Sequence, residues 1–229
     1  MKRREFMKLS ALAVGAYGWC ANTRRGVAES AISKPVDAAE FRAARRYAEI
    51  SFGKIAYVER GSGDTALFLH GAPLNGFQWR GAIDRLSAYR RCVAPDFMGL
   101  GYSQIPEHQS LAASAQVAML AALLDTLAIS KVDIIASDSG GAVAQLFVVR
   151  YPERVRTLLL TNCDVEPDSP PAKVKPAIEM ARAGTLADAT AKWLTDKALA
   201  RSTFGAAVYH DPGHFADDTI EYYVTPLVS

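Results

Sequence analysis

Residues 134–144 of this 229-residue chain read Ile-Ile-Ala-Ser-Asp-Ser-Gly-Gly-Ala-Val-Ala. A buried-type strand ends in small residues, and an apolar helix begins almost at once. This is the layout of a nucleophile elbow. The turn holds one side chain on a strained backbone at the helix N-terminus, where free N–H groups and the helix dipole favour negative charge. Strand and helix approach closely only if the residues two before and two after the turn are small. Two registers meet that rule: Asp138 between Ala136 and Gly140, or Ser139 between Ser137 and Gly141. Either side chain is a candidate nucleophile. Asp138 would also serve as an ordinary helix N-cap.

Around this segment, strand and helix patterns alternate. Residues 47–52 and 54–58 are β-rich on either side of Gly53 and predict a hairpin. Residues 66–69, 91–94, 132–136 and 157–161 read as short buried strands, and residues 79–89, 111–127 and 141–150 as helices. Such alternation predicts an α/β fold, with a mostly parallel sheet covered by helices on both faces. Beyond Asp164, Pro167, Pro170, Pro171 and Pro176 mark a linker. Alanine-rich helical stretches follow to about residue 205, with no further strand of the buried type.

Three motifs then line up. Leu69-His70-Gly71-Ala72-Pro73 resembles the His-Gly-x-Pro oxyanion loop of the α/β-hydrolase superfamily, and Asp96-Phe97-Met98-Gly99-Leu100-Gly101-Tyr102-Ser103 resembles its Asp-x-x-Gly-x-Gly-x-Ser loop. Gly140-Gly141, an apolar helix and Tyr151-Pro152-Glu153-Arg154-Val155 complete the pattern, so the resemblance covers about residues 46–165. In that family the nucleophile is followed by one residue and then Gly-Gly, which puts Asp138 in its place. The chain thus resembles the epoxide hydrolase and haloalkane dehalogenase branch. There a carboxylate attacks carbon and water later cleaves the ester. An aspartate is ionised at neutral pH without help, whereas the second step needs a general base, a histidine in the family.

The resemblance implies an oxyanion or halide cradle at the backbone N–H groups of Ala72 and Ser139. It makes His70 and Asp96 structural, and it calls for no metal or cofactor. Departures are plain. Ser139 stands where dehalogenases usually carry tryptophan, and Ala72 where many carry asparagine. Tyr209, Tyr222 and Tyr223 fall in the cap-like region, where epoxide hydrolases place polarising tyrosines, although packing is the commoner role of such residues. His214, in Gly213-His214-Phe215, is the candidate base, but no strand precedes it. Asn162 stands where a catalytic acid is expected, and Asp164, two residues on, is the candidate acid. The last two strands of the family pattern are not recognisable. The expectation is a core at 46–165, a partial helical cap at 166–229, marginal stability and a chain truncated within or just after its cap. Two alternatives are a Ser139-dependent esterase and a non-catalytic remnant of the fold.

The first 45 residues read as an address. A charged start containing Arg3-Arg4-x-Phe6-x-Lys8 precedes an uncharged run, residues 9–21, and resembles a twin-arginine export signal that would deliver the chain to the periplasm. The run is shorter than the ~20 residues a membrane span needs. Residues 1–46 hold ten basic and four acidic side chains, against 16 and 20 in the remainder, so the formal charge of +2 belongs to this tail. The acidic body argues against nucleic acid as a partner, and the resemblance to the hydrolases implies a small-molecule substrate. Cys20, Cys92 and Cys163 match no zinc spacing or disulfide framework. The first strand–helix turn carries His-Gly rather than Gly-x-Gly-x-x-Gly, which disfavours a dinucleotide.

Overall fold

The computed structural model describes residues 36–163 and 172–229, all within one compact unit. The export-signal residues and Asp164 lie outside the described residues. Six strands make one sheet: β1 (Arg45–Ile50), β2 (Gly53–Arg60), β3 (Thr65–Leu69), β4 (Arg91–Pro95), β5 (Val132–Asp138) and β6 (Val155–Cys163). Their spatial order is β1-β2-β4-β3-β5-β6. The β1–β2 hairpin turns at Gly53, whose φ of +122° suits glycine. β2 meets β4 antiparallel, and β3, β4, β5 and β6 run parallel.

Period-two alternation divides the central strands between two cores. Leu67 and Leu69 of β3 and Val93 of β4 face α3 (Ala113–Thr126) and α4 (Ser139–Arg150), where Leu120, Leu124 and Phe147 are buried. Phe68, Cys92 and Ala94 face the other way. They meet α1 (Ala38–Ala43), α2 (Arg80–Leu86) and α7 (Asp217–Val228), through Phe41, Ile83, Tyr222 and Tyr223 among others. α5 (Lys175–Arg182) and α6 (Leu186–Thr195) belong to the cap-like part. No helix of the described residues is long and apolar enough to cross a membrane.

One expectation needs correction. The sequence places residues up to 45 in signal and linker, yet Val36, Ala38 and Phe41 are buried in the second core. Asp37 caps α1 by accepting the Glu40 N–H at 2.9 Å. The alternating burial of such a short helix carries too little periodicity to stand out from a tail. Helices flank both faces of the sheet as expected, while residues 157–162 of the edge strand β6 are exposed, Leu159 at 55%. Leu146 and Val149 of α4 are exposed as well.

Candidate active site

The sharp turn falls on Asp138. Its φ of +55° and ψ of −134° lie in a region that non-glycine residues seldom adopt, at a cost of about 1–3 kcal/mol. Ser139, one residue on, already opens α4. The small flanks have visible causes. A Cβ on Gly140 would stand 2.4 Å from the His70 carbonyl oxygen, and one on Gly141 would stand 2.1 Å from Cys163 Sγ. Gly71 is equally constrained, since a Cβ there would meet that of Asp138 at 2.4 Å. Strand, helix and His-Gly loop close together only because these positions carry no side chain.

Both expected cradle amides converge on one carboxylate oxygen. Asp138 Oδ1 accepts the Ser139 N–H at 2.6 Å and the Ala72 N–H at 3.2 Å. The Ala72 N–H is shared with Ser139 Oγ at 3.1 Å. Oδ2 makes no hydrogen bond among the described residues. Among the described residues, Ser139 Oγ hydrogen-bonds that amide and no basic side chain. The Ala72–Pro73 peptide is cis.

His70 and Asp96 hold the loops that present this cradle. His70 is buried, donates from Nδ1 to the Gly71 carbonyl at 2.9 Å and accepts the Phe97 N–H on Nε2 at 3.0 Å. Those partners require the neutral ring protonated on Nδ1. Burial holds its pKa below the ordinary histidine value, against the pull of Asp96. Asp96 accepts the Gly76 N–H on Oδ1 and the Tyr102 N–H on Oδ2, both at 2.8 Å, and so ties the His-Gly loop to the loop that follows β4. Burial raises its pKa, opposed by His70 and by the two amides. The sequence reading missed Gln116. Its side-chain amide bonds both the N–H and the carbonyl of Met98, at 3.1 and 3.0 Å, and braces the same loop. A lone amide side chain amid the apolar run 111–127 was the available signal.

The remaining candidates lie elsewhere. His214 is 81% exposed in a short turn, its Nδ1 3.0 Å from Asp211 Oδ2, and its polar contacts stay within that turn. Asn162 is exposed at the end of β6, with φ at +47°. Tyr222 and Tyr223 are almost fully buried in the second core, where desolvation pushes both phenols upward. Tyr222 accepts from Arg45 at 2.7 Å, and Tyr209 accepts from Arg80 at 3.4 Å. These three tyrosines pack the core and hold cations, and none lines the cavity described next.

A cavity of about 630 Å³ is lined on one part by Ala72 and Pro73 of the His-Gly loop, while Asp138 and Ser139 are not among its lining residues. Leu100 contributes from the loop after β4, Ile178 from α5, and Leu186 and Trp193 from α6. Its size and apolar walls suit a small organic molecule.

Comparison with known proteins agrees with this geometry. A family model described as alpha/beta hydrolase fold matches residues 66–200. The chain belongs to the α/β-hydrolase fold family. Among curated α/β-hydrolase relatives, it is 36% identical to 2-hydroxy-6-oxo-2,4-heptadienoate hydrolase of Pseudomonas putida over 103 residues, 44% of this chain and 37% of the relative. It is 41% identical to a haloalkane dehalogenase of Mesorhizobium japonicum over 102 residues, 44% of this chain and 33% of the relative. These matches span little more than a third of the relatives' length. Among solved structures, epoxide hydrolase CorEH superposes with a TM-score of 0.66 at 28% identity, covering 80% of this chain and 68% of that one.

Proposed function

We propose that this α/β-hydrolase acts on a small, largely apolar substrate by attack of Asp138 Oδ2 on an electrophilic carbon, of the epoxide or haloalkane type. One observation carries the reading. The carboxylate on the strained turn has one oxygen bound by two amides and the other unbonded, and Ala72, which supplies one of those amides, lines an apolar cavity. The dehalogenase and epoxide hydrolase relatives support the substrate class. Attack forms an Oδ2–carbon bond and breaks either the carbon–halogen bond, releasing halide, or an epoxide carbon–oxygen bond, whose oxygen takes a proton from water, and leaves an ester on Asp138.

Ester formation needs no base, but release by water does. His70 contributes no lone pair to water, since both ring nitrogens are engaged. The decisive experiment therefore reads the ester rather than turnover. The chain is incubated with 1-bromohexane or 1,2-epoxyhexane, followed by intact-mass measurement and peptide mapping. The expected adduct maps to Asp138 and vanishes in Asp138→Asn. An adduct on Ser139 with an ester substrate, and none on Asp138, would overturn the reading. Mapping also separates Asp138 from Cys163, its partner in the β5–β6 register. We further propose export through the twin-arginine-like start, which cell fractionation of the full chain would check.

A further inference from the structure

We infer that Thr190 is a specificity-determining residue, and that the substrate carries, besides the carbon attacked by Asp138, a separate hydrogen-bonding group that meets the Thr190 hydroxyl on the cap side of the cavity.

α6 turns one face to the cavity, formed by Leu186, Ala187, Thr190 and Trp193. That is helical spacing for a single stripe. Within an otherwise apolar stripe, Thr190 supplies a hydroxyl. Threonine on a helix ordinarily satisfies that group by bonding back to its own backbone. Thr126, Thr195 and Thr203 do so here, to the carbonyls of Ala122, Lys192 and Leu199. Thr190 does not. It is only 6% exposed, lines the cavity, and its hydroxyl has no hydrogen-bond partner among the described residues. Nor is the oxygen sealed away. The sealed, unbonded side-chain atoms among the described residues are Trp79 Nε1 and Lys197 Nζ, the latter beside Glu221. Thr190 Oγ1 is not among them, and Thr190 lines the cavity. A hydroxyl that bonds neither its own helix nor another side chain is available to a ligand that supplies an acceptor or donor. Ala72, whose N–H bonds Asp138, lines the same cavity from the His-Gly loop. A bound molecule thus meets the His-Gly loop beside the nucleophile and a hydroxyl on the cap wall, with apolar surface between. This orders substrates by where their polar group lies along an apolar chain.

The inference rests on Asp138 as nucleophile, and the test separates the two. The probes are 4-bromobutan-1-ol, 6-bromohexan-1-ol and 8-bromooctan-1-ol, each against its unsubstituted 1-bromoalkane. The first readout is the rate of ester formation on Asp138. The second is binding of the same pairs to Asp138→Asn by calorimetry, which needs no reaction. At the length that spans the cavity, Thr190→Val is expected to lower the preference for the alcohol about two- to tenfold in both readouts. Thr190→Ser, which keeps the hydroxyl, should retain it. If adducts fail to form but the binding preference responds to Thr190→Val, the nucleophile reading falls and the Thr190 inference stands. An unchanged ratio at every length, or no binding of any probe, overturns the Thr190 inference.

Discussion

The carbonyl of Tyr222 accepts the Tyr102 hydroxyl at 3.0 Å. Pro226, four residues further along α7, has no N–H to offer that carbonyl, so the helix leaves an acceptor open at this point. Asn75 Nδ2 takes a second, longer position on it at 3.4 Å. The missing helical bond thereby anchors α7 to both loops around the elbow.

Tyr102→Phe should cost about 1 kcal/mol in urea unfolding. In a Pro226→Ala background, the new N–H satisfies the Tyr222 carbonyl from within the helix, and the same substitution should cost distinctly less. Equal costs in the two backgrounds would show that the proline has no part in the anchor.

Gly140→Ala should destabilise the chain by about 1–3 kcal/mol or more, because the added methyl meets main-chain oxygen atoms of His70 and Leu69 rather than a mobile side chain. Thermal melting measures it. A melting temperature equal to that of the parent would mean that strand and helix stand further apart than described.

Asp133 offers a test in pH. Burial raises its pKa, but hydrogen bonds from Arg156 and Thr157 outweigh that and hold it below the usual carboxylate range. Its side chain is 21% exposed, and Arg156 reaches it at 3.0 Å. A lowered folded value stabilises the chain above the unfolded value, about 3.9, and the benefit drains as pH falls through the folded one. The gap in unfolding free energy between parent and Asp133→Asn should be about 1 kcal/mol at neutral pH and should narrow under acid. A constant gap would contradict the assignment.

His70 moves with the opposite chemistry. Its folded value is depressed, so the unfolded imidazole takes a proton below about pH 6.5 while the folded one stays neutral. The stability contributed at this site therefore falls as pH drops below that point, at up to about 1.4 kcal/mol per pH unit. Nitrogen NMR of the ring should show the neutral tautomer protonated on Nδ1, unchanged from pH 7 to pH 6. Titration at the ordinary value would refute it.

Much of this arrangement was legible from local composition. The elbow, the His-Gly loop and the Asp96 loop were readable because each needs small residues or a fixed polar group at set spacings. Gly71, Gly140 and Gly141 now show those needs as close approaches. What escaped depends on contacts between distant segments. The burial of Phe41, the anchoring of α7 by Tyr102 and the placement of Thr190 on a cavity wall involve partners far along the chain. No local pattern encodes them. His214 shows the converse, since the sequence offers it as the candidate base while its neighbours hold it in an exposed turn.

The two amides on Asp138 Oδ1 carry a further kinetic consequence. They already serve the resting carboxylate, so in the proposed alkylation they favour reactant at least as much as transition state and give that step little leverage. Once Oδ2 is esterified, Oδ1 becomes the carbonyl oxygen, on which negative charge reappears only when water adds. The same donors then act selectively on a fleeting species, so weakening them should slow deacylation far more than alkylation.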